Sequence, residues 1–158
     1  MTVAWMSVAV CAACMACSAA MAAIVLYDDA ARIIPRNLCW LLGVAGIALQ
    51  ACSGGMLAVA FGLAWAIAFY LVSSIALWWI DGRKGKKEPS LGGGDVRCMA
   101  ALSLATGPGA PVGFAACFTA AALWAAIERV RRRMKAGEAF AFAPFLALWL
   151  AVGVLVVI

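Results

Sequence analysis

The chain has 158 residues, of which 68% are hydrophobic and 12% are charged, and its formal net charge is +5. Soluble domains carry about 25% charged residues, so we expect lipid to surround most of this chain, as a single membrane-embedded domain over residues 1–158. The absence of histidine excludes Ser-His-Asp and Cys-His catalysis. No soluble basic face is available for nucleic-acid binding.

Apolar runs in chain order predict an all-α, polytopic membrane protein with about six transmembrane helices. A crossing needs about 20 apolar residues, and most of the runs approach that length. The fourth run is short, so a short or re-entrant helix buried in the protein is an alternative there. The predicted crossings are residues 3–27, 38–52, 56–80, 96–106, 112–127 and 139–158.

With six crossings, every lysine and arginine falls on one side of the membrane. The opposite connections, around residues 53–55 and 107–111, carry no basic residue. Basic residues concentrate in cytoplasmic loops, so this side is expected to face the cytoplasm, as in a bacterial inner-membrane protein. All seven acids fall on the same side. The basic loop 83–87 is interpreted as an orientation signal and lipid anchor, with contact to an acidic partner as the alternative.

Three of the seven cysteines form a C-x-x-C-x-x-C run in the first predicted helix: Cys11, Cys14 and Cys17. They lie in mid-span without polar companions, where ionised thiolates would be costly. We interpret them as small packing residues, with a metal or redox role as the alternative. No metal or cofactor is predicted.

Two acids stand out at predicted helix ends. Asp28 and Asp29 end the first helix, and Asp95 follows three glycines at the start of the fourth. Two carboxyl groups that interact at a membrane interface can divide into one ionised and one protonated group, as aspartic proteolysis requires. The alternatives are that Asp95 simply caps its helix and that Asp28 and Asp29 are solvated acids balancing nearby arginines.

Three segments match motifs of a known family. Asp28 is followed seven residues later by Pro35, and the segment Gly92-Gly93-Gly94-Asp95-Val96-Arg97 has the pattern Gly-x-Gly-Asp, hydrophobic residue, base. The segment 141–147 is similar to a Pro-aromatic-x-Pro stretch before a last helix. With these motifs in this order, the sequence resembles the prepilin peptidases, which are membrane aspartic proteases that process type IV prepilins and pseudopilins.

The resemblance implies a catalytic pair, Asp28 and Asp95, and no cofactor. It implies positioning roles for Gly92, Gly94, Pro35 and Arg97. Asp29 is set aside because the spacing to Pro35 selects Asp28.

The sequence also departs from the family. Asn37 is displaced by one residue from its usual place after the proline, and Ala141 replaces the first proline of the late motif. The chain lacks room for the family's methyltransferase portion, so it is similar to the short, peptidase-only type of Flp-like (tight-adherence) pili.

The function expected from the resemblance is cleavage of a prepilin or pseudopilin leader at the cytoplasmic face. The main rival is a non-enzymatic membrane scaffold of a pilus or secretion system. A small transporter is a weaker rival, because the predicted spans hold few polar residues at mid-depth. The sequence leaves the oligomeric state open.

Overall fold

The computed structural model describes residues 2–84, 92–131 and 141–156. Within these ranges the chain is helical apart from short connections, with no strand, which confirms the predicted all-α class. Part of the basic loop 83–87 and all of Glu88, Arg132, Arg133, Lys135 and Glu138 lie outside the described residues. The elements are α1 (Thr2–Ala31), α2 (Arg36–Ser53), α3 (Gly55–Lys84), α4 (Gly93–Thr106), a 3-10 turn (Gly107–Gly109), α5 (Ala110–Val130) and α6 (Ala143–Leu155).

Three helical stretches of the described chain are long and apolar enough to cross a membrane. They are Trp5–Ala31, Gly55–Ala76 and Gly93–Val130, and the last of these includes the 3-10 turn. α6 is apolar but shorter. The length and composition of these helices indicate a membrane protein.

Both long helices extend past the predicted crossings 3–27 and 56–80. α1 continues to Ala31, so Asp28 and Asp29 lie in its last turn, at the helix end where they were predicted. α3 continues to Lys84, so the first two residues of the basic loop 83–87 are helical. A charged residue ends an apolar run in the sequence, but it does not prevent the backbone from continuing its hydrogen-bonded turns.

The chain reverses direction between α4 and α5. Gly107 has φ 50° and ψ −121°, outside the right-handed helical region, and this conformation interrupts the helical path. Thr106, at the end of α4, lies against Gly153 near the end of α6. Phe118 of α5 packs on Phe142, just before α6 begins. α5 therefore runs back toward the end of the bundle where α6 starts.

α2 runs parallel to α4. The thiols of Cys39 and Cys98 are in hydrogen-bonding contact near the starts of the two helices. Near their other ends, the Nε2 of Gln50 donates a hydrogen bond to the carbonyl oxygen of Ala105 (2.7 Å). The starts of α2 and α4 therefore lie at the same end of the bundle.

α4 is the central helix of the fold. It packs against α2, α3 and α6, and eight of its residues are buried. Small residues let neighbouring backbones approach it closely: a Cβ at Gly46 would lie 2.6 Å from the Cα of Ala105. Residues 96–106 therefore form a helix that is largely enclosed by its neighbours.

Candidate active site

The last turn of α1 brings Asp28 into the protein interior. Only 7% of its surface is exposed, whereas its neighbours Tyr27 and Asp29 are exposed. The helix ends at Ala31. The N–H of the next residue, Arg32, donates to the carbonyl oxygen of Asp28 (2.9 Å), and its φ of 54° turns the chain sharply. This turn directs Ile33 and Ile34 toward the same cavity as Asp28.

The carboxylate of Asp28 is held by the start of α6. The backbone N–H of Ala143 donates a hydrogen bond to Oδ2 of Asp28 (3.0 Å). Ala143 begins α6, with Pro144 in the first turn, where the first N–H groups have no partner within the helix. A carboxylate at a helix N-terminus is stabilised by such an N–H and by the helix dipole.

Asp95 lies in the first turn of α4, but it does not cap the helix. The N-cap is Gly92, and no side chain makes a capping hydrogen bond there. The N–H of Asp95 donates to the carbonyl oxygen of Gly92 (3.0 Å), and the side chain is half-buried. The alternative that Asp95 serves as an N-cap is therefore wrong, and its carboxyl group is left to face the cavity.

Asp28 and Asp95 line one cavity of about 390 Å³. The charge of Asp28 acts on Asp95, so two helices distant in sequence bring their acids into electrostatic contact. A cavity of this volume has room for several water molecules, each of which occupies about 30 Å³ in the liquid. The remaining lining residues are Arg32, Ile33, Ile34, Gly92, Gly93, Gly94 and Arg97.

The glycines before Asp95 differ in how closely they are packed. A Cβ at Gly92 would lie 3.0 Å from Oδ2 of Asp95, and a Cβ at Gly94 would lie 3.0 Å from the Cβ of Ile34. A Cβ at Gly93 would meet no atom within 4 Å. The packing therefore restricts the two outer glycines of the Gly-x-Gly-Asp segment and leaves the middle one free.

Of the predicted positioning residues, Gly92, Gly94 and Arg97 line the cavity and Pro35 does not. Pro35 is the N-cap of α2, with φ −64° and ψ 130°, so it shapes the connection that follows Ile34. The neighbouring acid, Asp29, is also outside the lining.

Sequence reasoning missed two groups. Arg32 lines the cavity, and its only sequence signal is its place in the short α1–α2 connection. The N–H of Ala143 binds Asp28, and Pro144 was the available signal, because proline is frequent in the first turn of a helix.

The three cysteines of α1 differ in exposure: Cys11 is exposed, Cys14 is partly buried and Cys17 is buried. Within residues 2–84, 92–131 and 141–156, no group of three or more cysteine or acidic side chains is placed to hold a metal ion.

Comparison of the chain with protein-family models, curated proteins and solved structures gave no significant match.

Proposed function

We propose that this protein is a membrane aspartic endopeptidase that removes the leader peptide of Flp-like type IV prepilins or pseudopilins. One observation carries the proposal: Asp28 and Asp95, from different helices, line one cavity at the end of an otherwise apolar bundle. Placing two acids in one cavity is unfavourable, because like charges repel and burial disfavours the ionised form of each carboxyl group. A purely structural role does not require this arrangement.

The two acids have different surroundings, and these suggest their roles. Asp28 is buried and its carboxyl group accepts an N–H from the start of α6, which fixes its orientation, so we assign it the role of general base. It takes a proton from a water molecule as the water oxygen attacks the scissile carbonyl carbon. Asp95 supplies the proton that the carbonyl oxygen gains. The tetrahedral intermediate then collapses: Asp28 gives the proton it gained to the leaving nitrogen, the C–N bond breaks, and Asp95 takes a proton back from a hydroxyl of the intermediate as the carbonyl re-forms.

The proposal includes six crossings, with the acids at the cytoplasmic face of a bacterial inner membrane. The sequence places all 12 basic residues on that side if the helices alternate in direction. α4 and α6 have 14 and 13 residues, fewer than the roughly 20 needed to span alone. They would cross with neighbouring helices covering their ends.

A prepilin supplies the matching substrate, since its apolar helix partitions into the bilayer and its polar leader stays in water. The junction between them would then lie at the level of Asp28 and Asp95. Holding the scissile bond there supplies part of the rate by proximity.

The test is co-expression of a tagged Flp-type prepilin with wild type, Asp28→Asn, Asp95→Asn and Asp29→Asn. Asp29→Asn is the matched control, because it is the same substitution at the adjacent, exposed acid. Loss of either cavity acid should slow cleavage by at least about 10²-fold, since each performs a proton transfer. Asp29→Asn should still give the faster-migrating product on a gel.

Two outcomes would contradict the proposal. Cleavage that persists in both cavity variants would favour the scaffold. If cleavage is lost in Asp29→Asn but kept in Asp28→Asn, the catalytic acid of α1 is Asp29 and not Asp28. Equal amounts of each variant in the membrane fraction are the control for insertion.

A further inference from the structure

A second cavity, which shares only Arg97 with the acidic one, lies on the outer surface of α2, α3 and α4. It is a groove of about 410 Å³, within the 300–1,000 Å³ range usual for small-molecule sites. Small residues form its floor: Gly43 from α2, and Ala100 and Ala101 from α4. Trp40 and Tyr70 also line it, and they are 65% and 54% exposed. In a membrane, these exposed side chains face lipid.

Two arginines also line this groove, Arg36 from the start of α2 and Arg97 from the start of α4. We call it the arginine groove. Among the described residues, neither guanidinium forms an ion pair with an acid. Because α2 and α4 begin at the same end of the bundle, the positive ends of two helix dipoles add to the charge of the two side chains.

We propose that the arginine groove binds one anionic phospholipid, with its phosphate between Arg36 and Arg97 and an acyl chain along the floor. The charge of the groove fits this ligand, since basic pockets between transmembrane helices bind anionic head groups. Its shape fits as well, because the apolar floor begins where the arginines end. Trp40 and Tyr70 are the residue types that occupy the head-group level of a bilayer.

A lipid is favoured over a peptide because the arginine groove opens to the bilayer, where lipid is the solvent and acyl chains occupy apolar grooves. A peptide would have to displace it and would need to place an acid of its own between the arginines. The inference needs only a membrane location and does not depend on the peptidase proposal.

Native mass spectrometry of the purified protein tests the inference. The protein is titrated with phosphatidylglycerol and, separately, with phosphatidylcholine carrying the same acyl chains. Wild type should retain one phosphatidylglycerol in preference to phosphatidylcholine. Arg36→Gln and Arg97→Gln should each weaken this binding about fivefold, because one basic residue near anionic lipid contributes about fivefold in affinity. The double variant should weaken it about 30-fold.

Two further variants separate the groove from general surface charge. Arg129→Gln removes an exposed arginine from the last turn of α5, outside the groove, and should bind phosphatidylglycerol as wild type does. Ala100→Phe keeps both arginines but fills the floor, and it should lose the retained lipid. Helicity measured by circular dichroism shows whether each variant is folded.

Four results would overturn the inference. If phosphatidylcholine is retained as well as phosphatidylglycerol, the arginines do not select the lipid. The same conclusion follows if Arg129→Gln loses as much phosphatidylglycerol binding as Arg36→Gln and Arg97→Gln do. Displacement of the lipid by inorganic phosphate at matched concentration would indicate a site for free anions. Displacement by a synthetic apolar helix with one acidic residue would indicate a peptide site.

Discussion

The spacing between Gly92 and the carboxylate of Asp95 allows a graded test of the proposed site. In Gly92→Ala, the new Cβ would lie 3.0 Å from Oδ2 of Asp95, so the carboxylate must move by a few tenths of an ångström. The backbone itself is not strained, because φ −65° and ψ 137° are accessible to alanine.

The size of the effect follows from that displacement. A misplacement of 1 Å can cost about 10²-fold in rate, so a few tenths of an ångström should cost about five- to tenfold. This corresponds to about 1–1.4 kcal/mol in the activation barrier.

The assay is the initial rate of cleavage of a prepilin by purified protein in detergent micelles, expressed as kcat/KM. Gly93→Ala is the matched control, since its Cβ would meet no atom within 4 Å. It makes the same chemical change one residue away and should keep the wild-type rate. If Gly93→Ala loses as much activity as Gly92→Ala, or if neither loses any, the packing of Gly92 against Asp95 does not control the reaction.

Three further predictions concern stability and pH. Gly113→Ala should lower the free energy of unfolding by about 1–3 kcal/mol, because its Cβ would press on the indole of Trp149; an unchanged melting temperature in detergent would refute this. Thr106→Val should cost about 1 kcal/mol, because it removes the acceptor for the Trp149 Nε1–H (3.3 Å). Ser103→Ala should cost less, because that hydroxyl donates to the Met99 carbonyl within its own helix. Cleavage should have a bell-shaped pH profile, falling in acid as the ionised carboxylate gains a proton and in base as the protonated one loses it; a flat profile would exclude the acid–base pair.

The sequence predicts the helices of this protein better than it predicts their surroundings. Apolar runs locate α1, α3 and the stretch from α4 to α5, because length and composition are sufficient to identify a candidate span. They do not reveal that α4 is enclosed by α2, α3 and α6, because an apolar helix in lipid has no polar face to contrast with its buried one.

The candidate site is likewise divided between what sequence can predict and what it cannot. Spacing and glycine content single out Asp28 and Asp95, and both line the same cavity. The N–H of Ala143 is indicated only indirectly, by the proline that follows it, because every residue but proline carries such a group. The position of Arg32 depends on a single backbone angle, φ 54°, which residue identity did not specify.

The hydrogen bond between Asp28 and Ala143 joins residues 115 positions apart. During synthesis, α1 enters the membrane long before the ribosome has made residue 143. Asp28 therefore lacks its hydrogen-bond donor, the N–H of Ala143, while the intervening helices are inserted. The proposed hydrolase would thus be inactive as a nascent chain and would acquire its working geometry only once the start of α6 has reached Asp28.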